Sequence, residues 1–215
     1  MSGTMTSVGW VLPAAAGELD AREGRESPIA SRGELLEREG LAPGSVKNLG
    51  RFPDSVKDVC GACAIALRTA GLGHWREAKL STGVISAGFD RTLDINREFF
   101  QDYVDSGRLT GRGNLFIYTL PTSPVAEATI LFGLGGPLLY VESVAAPFTG
   151  MLQAAEDMIA SGQADSMAVL WQDREVTLCA LLAERPGLDL GAVTRASKTW
   201  HKPLDGVQYF RTVHG

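Results

Sequence analysis

The sequence predicts an α/β domain: a mixed, mostly parallel sheet of five strands with helices on both faces. Three observations lead there. Short apolar runs of strand length alternate with amphipathic stretches of helix length in the order β-α-β-α-α-β-α-β-β, and such alternation builds parallel sheets. The last two apolar runs are separated only by the polar residues 172–175, too few for a crossover, so they pair as an antiparallel edge. The 215 residues are 45% hydrophobic and 21% charged, enough to bury one core of ordinary size. That composition excludes disorder for the bulk of the chain. A net charge of −5 offers no basic surface for neutralising phosphates, which argues against nucleic acid as a partner. No run of 18 apolar residues exists to span a membrane, and residues 1–7 lack the basic-then-apolar pattern of a secretory signal. Three cysteines make no disulfide framework, so a reducing cytoplasm is the expected setting.

Residues 6–12 read as the first strand. Residues 13–53 are rich in Gly, Pro and charge and read as a loop-rich insertion with one short helix near 33–40. A helix is expected over 55–71, with Ser55 as its cap, Asp58 in its first turn and Gly71 as its stop; Val59, Cys63, Leu67 and Ala70 share one face. Leu80, Val84 and Ile85 mark a strand over 79–86. Ile95, Phe99 and Tyr103, spaced by four, mark a helix over 94–106. Pro124 is pre-set for the first turn of a helix that Ser123 opens and Gly133 ends. Residues 138–143 read as a buried strand. Residues 149–161 read as an amphipathic helix with Met151, Leu152, Ala155, Met158 and Ile159 on one side. Strands over 166–171 and 176–183 follow. Residues 186–215 form a polar C-terminal extension in which Trp200, Tyr209 and Phe210 are candidate docking anchors.

The motifs that could carry chemistry are sparse. Cys60-x-x-Cys63 has no second pair of thiols or histidines to complete a four-ligand zinc site, and it lies inside an apolar helical run; the two read as small core hydrophobes. Gly133, Gly135 and Gly136 close a helix and lead into a strand, the reverse of a phosphate-binding loop. The run 83–88 lacks the G-x-S-x-G spacing of a nucleophile elbow, so Ser86 is not read as a nucleophile. His74, His201 and His214 fall in or beside loops without an acidic residue at a metal or triad spacing. Residue chemistry alone therefore points to no metal, no cofactor and no active site.

An ordered series over residues 120–183 adds a resemblance. Leu120-Pro121-Thr122-Ser123-Pro124-Val125-Ala126-Glu127-Ala128 leads to Leu131-Phe132-Gly133-Leu134-Gly135-Gly136-Pro137 and then Leu139-Tyr140-Val141-Glu142-Ser143; Gly162-Gln163-Ala164-Asp165 follows the next helix. This resembles the N-terminal half of a β-ketoacyl synthase, of the thiolase-like superfamily, over roughly residues 55–185. In that family a helix ending in Gly-Leu-x-Gly-Pro runs into a buried strand, and the strand ends at the nucleophilic cysteine that caps the next helix. The resemblance implies a thiolase-like half over residues 1–185, followed by the 186–215 extension.

Two departures shape the expected function. The family's small-residue stretch around the cysteine reads Ser143-Val144-Ala145-Ala146-Pro147 here, so the nucleophile-equivalent position is Ala145, and a methyl group cannot form a thioester. Pro147 and Phe148 replace small residues at the helix start, so Ala146, Pro147 and Phe148 would reshape the pocket entrance. The second departure is length: the family's catalytic histidines lie in a second half that these 215 residues do not contain. The resemblance thus implies a non-catalytic accessory or scaffold subunit of a dissociated fatty-acid, polyene or polyketide pathway. It would form a homodimer, or a heterodimer with a ketosynthase, and an acyl carrier protein is a further expected partner. The dimer strand would be Leu138, Leu139, Tyr140, Val141 and Glu142. A lone half would also leave an apolar helix face uncovered, on 55–71 or 149–161. The alternative is an acyl-thioester-processing enzyme of altered chemistry, a decarboxylase, hydrolase or transferase, using Ser143 or Thr149. The plain reading of Ser143 is a strand-end residue that satisfies backbone groups.

Overall fold

Side chains alternate across a strand, so each strand can serve two layers of helices. The structure, a computed structural model, describes residues 4–20, 24–41, 49–73, 79–88, 90–109, 111–142, 147–184 and 187–212. In β1 (Thr4–Leu12), Val8 and Trp10 point to one face and Val11 to the other. Gly9 shares the second face, where a Cβ would fall 2.5 Å from the Ala62 carbonyl oxygen. Glycine thus lets helix α2 (Asp54–Thr69) lie directly on β1, and the Ser7 hydroxyl fastens the crossing by donating to the Ala66 carbonyl (2.7 Å).

The other strands are β2 (Ala15–Asp20), β3 (Gly24–Pro28), β4 (Thr82–Ala87), β5 (Leu138–Tyr140), β6 (Ser166–Gln172) and β7 (Thr177–Ala183). One sheet joins them in the order β3-β2-β1-β7-β6-β4-β5. β4 is parallel to β5 and β6, while β7 is antiparallel to both β6 and β1. β1, β3, β4, β5 and β6 therefore run one way, and β2 and β7 the other. The α/β class, the mixed sheet and the predominance of one strand direction are as the sequence predicts.

Two corrections concern the sheet. It has seven strands rather than five, because residues 13–53 are not merely loops: β2 and β3 form a hairpin paired onto β1. The hairpin carries no apolar period of its own, and every residue of β3 is exposed. It is held by its ladder, by the Trp10 indole lying over Gly17, and by Trp10 Nε1 donating to Glu26 Oε2 (3.0 Å). Nor is β7 an edge strand. β1 takes its free side, and all seven of its residues are buried.

One face of the sheet is covered by α2, by α1 (Arg32–Arg38) and by α5 (Ser123–Phe132). α1 is capped by the Ser31 hydroxyl, which accepts from Glu34 N (3.1 Å). α5 ends at Gly133 in the left-handed region, φ +62°. The cap expected for α2 is not Ser55: the helix begins one residue earlier after Pro53, and the Ser55 hydroxyl is buried inside it without a hydrogen-bond partner. The other face is covered by α6 (Pro147–Ala160), α7 (Leu190–Ser197) and α8 (Pro203–Thr212). The last two come from the extension. They bury Leu190, Val193, Trp200, Val207 and Phe210 against β1, β6, β7 and α6, and Arg211 ties α8 to Glu26 of β3 (Nε to Oε2, 3.0 Å). The expectation of a bare helix face is overturned. α2 is enclosed by α1, α5 and the turn at Leu49–Arg51, and α6 is enclosed by the extension.

Between β4 and α5 the chain forms α3 (Asp90–Asp105), the short helix α4 (Gly113–Phe116) and a 3-10 turn, Ile117–Thr119.

Candidate functional site

The parallel strands β4, β5 and β6 end together, and α6 begins beside those ends; open α/β sheets place ligand sites at such a place. Of the residues singled out there by sequence, Ser143, Ala145 and Ala146 lie outside the described residues. Pro147 is half-buried at the first position of α6. Phe148 is fully buried. Its ring stacks on Trp171 of β6 (centroids 5.7 Å apart) and lies 5.1 Å from Trp200 of the extension. Trp200 in turn meets Tyr209 and Phe210. Phe148 therefore belongs to a closed aromatic cluster rather than to an open entrance. Thr149 is buried as well, its hydroxyl 2.8 Å from the Ser197 hydroxyl, which donates onward to the Thr194 carbonyl (3.0 Å). The pair ties α6 to α7.

Beside these strand ends Ser86, Tyr140, Gln172 and Pro121 line a cavity of about 10 Å³, space for one water. Gln172 Nε2 donates to the Ser55 carbonyl (3.0 Å) and to Thr177 Oγ1 (2.7 Å), and Ser86 Oγ donates to the Leu139 carbonyl (3.3 Å). These contacts hold elements together and present no nucleophile–base pair.

The expected dimer strand needs a correction. Leu138–Tyr140 is not a buried strand: it is the edge of the sheet, paired to β4 on one side only, with Leu138 43% and Leu139 38% exposed. A short apolar run reads the same in sequence whether it sits between two strands or beside one. Val141 is half-buried and packs against the α6 face, and Glu142 is exposed.

All three cysteines are buried free thiols in the cluster beneath α2. Burial pushes the Cys60 thiol well up, with the Glu127 carboxylate adding to it. Cys63 is raised chiefly by its hydrogen bond to Cys179 and also by burial. A thiol held protonated this way is a poor nucleophile. Ellman's reagent is accordingly expected to label no cysteine in the native chain and all three in urea; rapid labelling in the native state would remove the core assignment. His201 is exposed beside α8, its backbone N–H donating to Asp205 Oδ2 (2.7 Å). His74 and His214 lie outside the described residues. Among the described residues no three His, Cys, Asp or Glu side chains gather into a metal-binding group.

A larger groove, about 310 Å³, is not legible in the sequence, because residues as far apart as Ala16, Arg38 and Arg68 meet only after folding. It lies between the hairpin and helices α1 and α2. Its charges are engaged with each other: Arg68 with Glu39 (2.8 Å) and Glu18, Arg25 with Glu18 (3.4 Å), Arg38 with Glu39 (3.7 Å). The network fastens the hairpin to the helices.

The fold is matched by solved structures. A β-ketoacyl synthase from Burkholderia phymatum aligns with a TM-score of 0.62 and 13% identity over 91% of this chain. The fold is that of the thiolase-like ketosynthases. A type II polyketide synthase acyl-carrier protein in complex with its ketosynthase aligns with a TM-score of 0.57 and 12% identity over 90% of this chain. The chain spans 61% and 64% of those two matched chains. A ketosynthase in complex with its chain length factor, from Xenorhabdus doucetiae, aligns with a TM-score of 0.54 and 12% identity, covering 93% of this chain and 93% of the matched one. No family model and no curated protein matches the sequence. No single helix among the described residues is long and apolar enough to cross a membrane.

Proposed function

We propose that this chain is a non-catalytic ketosynthase-like subunit that pairs through β5 with a ketosynthase of a dissociated fatty-acid, polyene or polyketide pathway. The observation that carries the reading is the contrast between the two edges of the sheet. β3 presents Arg25, Glu26 and Pro28, residues that discourage strand addition, whereas β5 presents two half-exposed leucines. An apolar, open edge invites a partner strand. The Xenorhabdus complex supports a ketosynthase as that partner, since a chain of nearly this length and fold is found in it. The acyl carrier protein of the second neighbour supports a carrier as a third member of the assembly.

Catalytic silence rests on Ala145 and on the packing around the start of α6. Phe148, Trp171 and Trp200 fill the space there with rings, and the Thr149 hydroxyl is held by Ser197. Restoring a thiol by Ala145→Cys is therefore expected to yield no condensation from acyl and malonyl carrier-protein thioesters. Product formation by that variant alone would move the active site back to this position.

The test is the solution mass of the purified chain by light scattering, alone and mixed with the ketosynthase and carrier protein of its own source. A one-to-one complex with the ketosynthase is expected. A chain that binds neither protein, or that is covalently labelled by an acyl thioester, would overturn the scaffold role.

A further inference from the structure

The segment between β4 and α5 packs partly on itself. α3 packs on α4 and on the turn after it, through Phe99 against Phe116 (centroids 5.6 Å apart) and through Asn96 Nδ2 donating to the Thr119 carbonyl (3.2 Å). The lobe is rooted in the core by Ile95 of α3 and by Tyr118, which is buried against Phe52 and donates its hydroxyl to Glu127 Oε1 (3.2 Å). The lobe turns a group of large apolar side chains outward. Leu93, Phe100, Leu109, Phe116, Ile117 and Leu120 are 42–88% exposed, six of the nine large hydrophobics that the described residues leave to solvent. Scattered leucines need no explanation, but a concentration within residues 93–120 does.

We propose that this lobe is the second part of the docking surface, over which a ketosynthase subunit seated on β5 closes. The inference rests on the function proposed above and extends it to a surface that β5 does not include. Position supports it. Pro121, at the end of the lobe, and Tyr140 of β5 line the same small cavity, so lobe and open edge adjoin. Area supports it too. With an aromatic side chain covering about 150–250 Å² and Leu or Ile somewhat less, the six leave roughly 650 Å² uncovered. Leu138 and Leu139 bring the total to about 800 Å², one partner's share of a standard interface. β5 alone, with two half-exposed leucines, falls far short. The surrounding charge favours a protein over a bilayer. Arg112 pairs with Asp102 (2.9 Å) and Glu98 (3.8 Å), and Asp94 pairs with Arg97 (3.4 Å) and Arg174 (2.9 Å). A rim of mixed sign is usual around protein interfaces, whereas segments that lie on membranes carry an excess of Lys and Arg. Among the described residues, the one helix pair there that is apolar and long enough to cross a bilayer is bent by 99° at its break, and its second part, α5, is packed into the core.

The test compares Phe100→Asp/Ile117→Asp with the unaltered chain in binding to the ketosynthase of its own source, by calorimetric titration. The double variant is expected to bind at least tenfold more weakly, while thermal unfolding of the free chain is unchanged because both side chains face solvent. Leu109→Asp, at the most exposed position of the lobe, decides in the same way should the double variant fold poorly. Unchanged affinity of the lobe variants, beside a loss in a β5 variant, would confine docking to β5 and overturn the inference while leaving the proposed function intact. An effect seen only in self-association would assign the lobe to a second copy of the chain. Loss of binding to anionic phospholipid vesicles would assign it to a membrane surface; both outcomes overturn the partner named. An unaltered chain that does not bind the ketosynthase removes the proposed function itself.

Discussion

Replacing Trp200 by alanine is expected to cost about 3–5 kcal/mol of folding stability, the usual range for truncating a buried aromatic side chain. The expected size follows from position. Trp200 is 5% exposed and lies among Phe148, Tyr209 and Phe210, where the extension meets the first turn of α6. Its ring also supports Gly206 of α8, where even a Cβ would come within 3.1 Å of the indole. Removing it opens a cavity that neither α6 nor α8 can close without shifting. Urea unfolding of the purified variant measures the cost. A change below about 1 kcal/mol, the size of a surface substitution, would mean that the extension is not docked as described. The face of α6 would then be open, and a second domain could cover it.

The double substitution Leu138→Asp/Leu139→Asp is expected to weaken association with the ketosynthase at least a hundredfold, about 2.8 kcal/mol. Two carboxylates placed in a paired strand lose hydration without gaining partners, and that penalty falls on the complex alone. In the free chain both positions are already more than a third exposed, so its stability should hardly change. Val141 is a poorer probe: it is half-buried against the α6 face and its N–H donates to the Ser86 carbonyl (2.8 Å), so a charge there would disturb the fold along with any interface. Binding and thermal unfolding of the same variant separate the two effects. Full binding by a stably folded double variant would remove β5 as the docking edge.

Elements whose period is local were legible. The helix over 123–132 is found at Ser123–Phe132, with Pro124 at its start and Gly133 at its end. The turn between β6 and β7 is set by Asp173, whose carboxylate accepts from Glu175 N and Val176 N (2.8 Å each). The hairpin was not legible, since Gly24–Pro28 buries nothing and owes its strand conformation to pairing with β2. Nor was the docking of the extension, although its anchors were. Trp200 and Phe210 are conspicuous in a polar stretch, yet only the folded chain shows that they lie against Phe148 and the α6 face.

The sequence by itself determined the class of the fold, the order of most of its elements and the burial of Cys60 and Cys63, all carried by spacings of a few residues, and it held the motifs that resemble those of ketosynthases. Tertiary structure alone decided three things. It made β7 a central strand, because β1 reaches its free side from the far end of the chain. It left β5 at the edge, because among the described residues no strand adds beyond it. It closed the α6 face with α7 and α8. The physical reason is common to all three: hydrophobic period specifies that a face must be covered, and carries no information about which distant segment covers it.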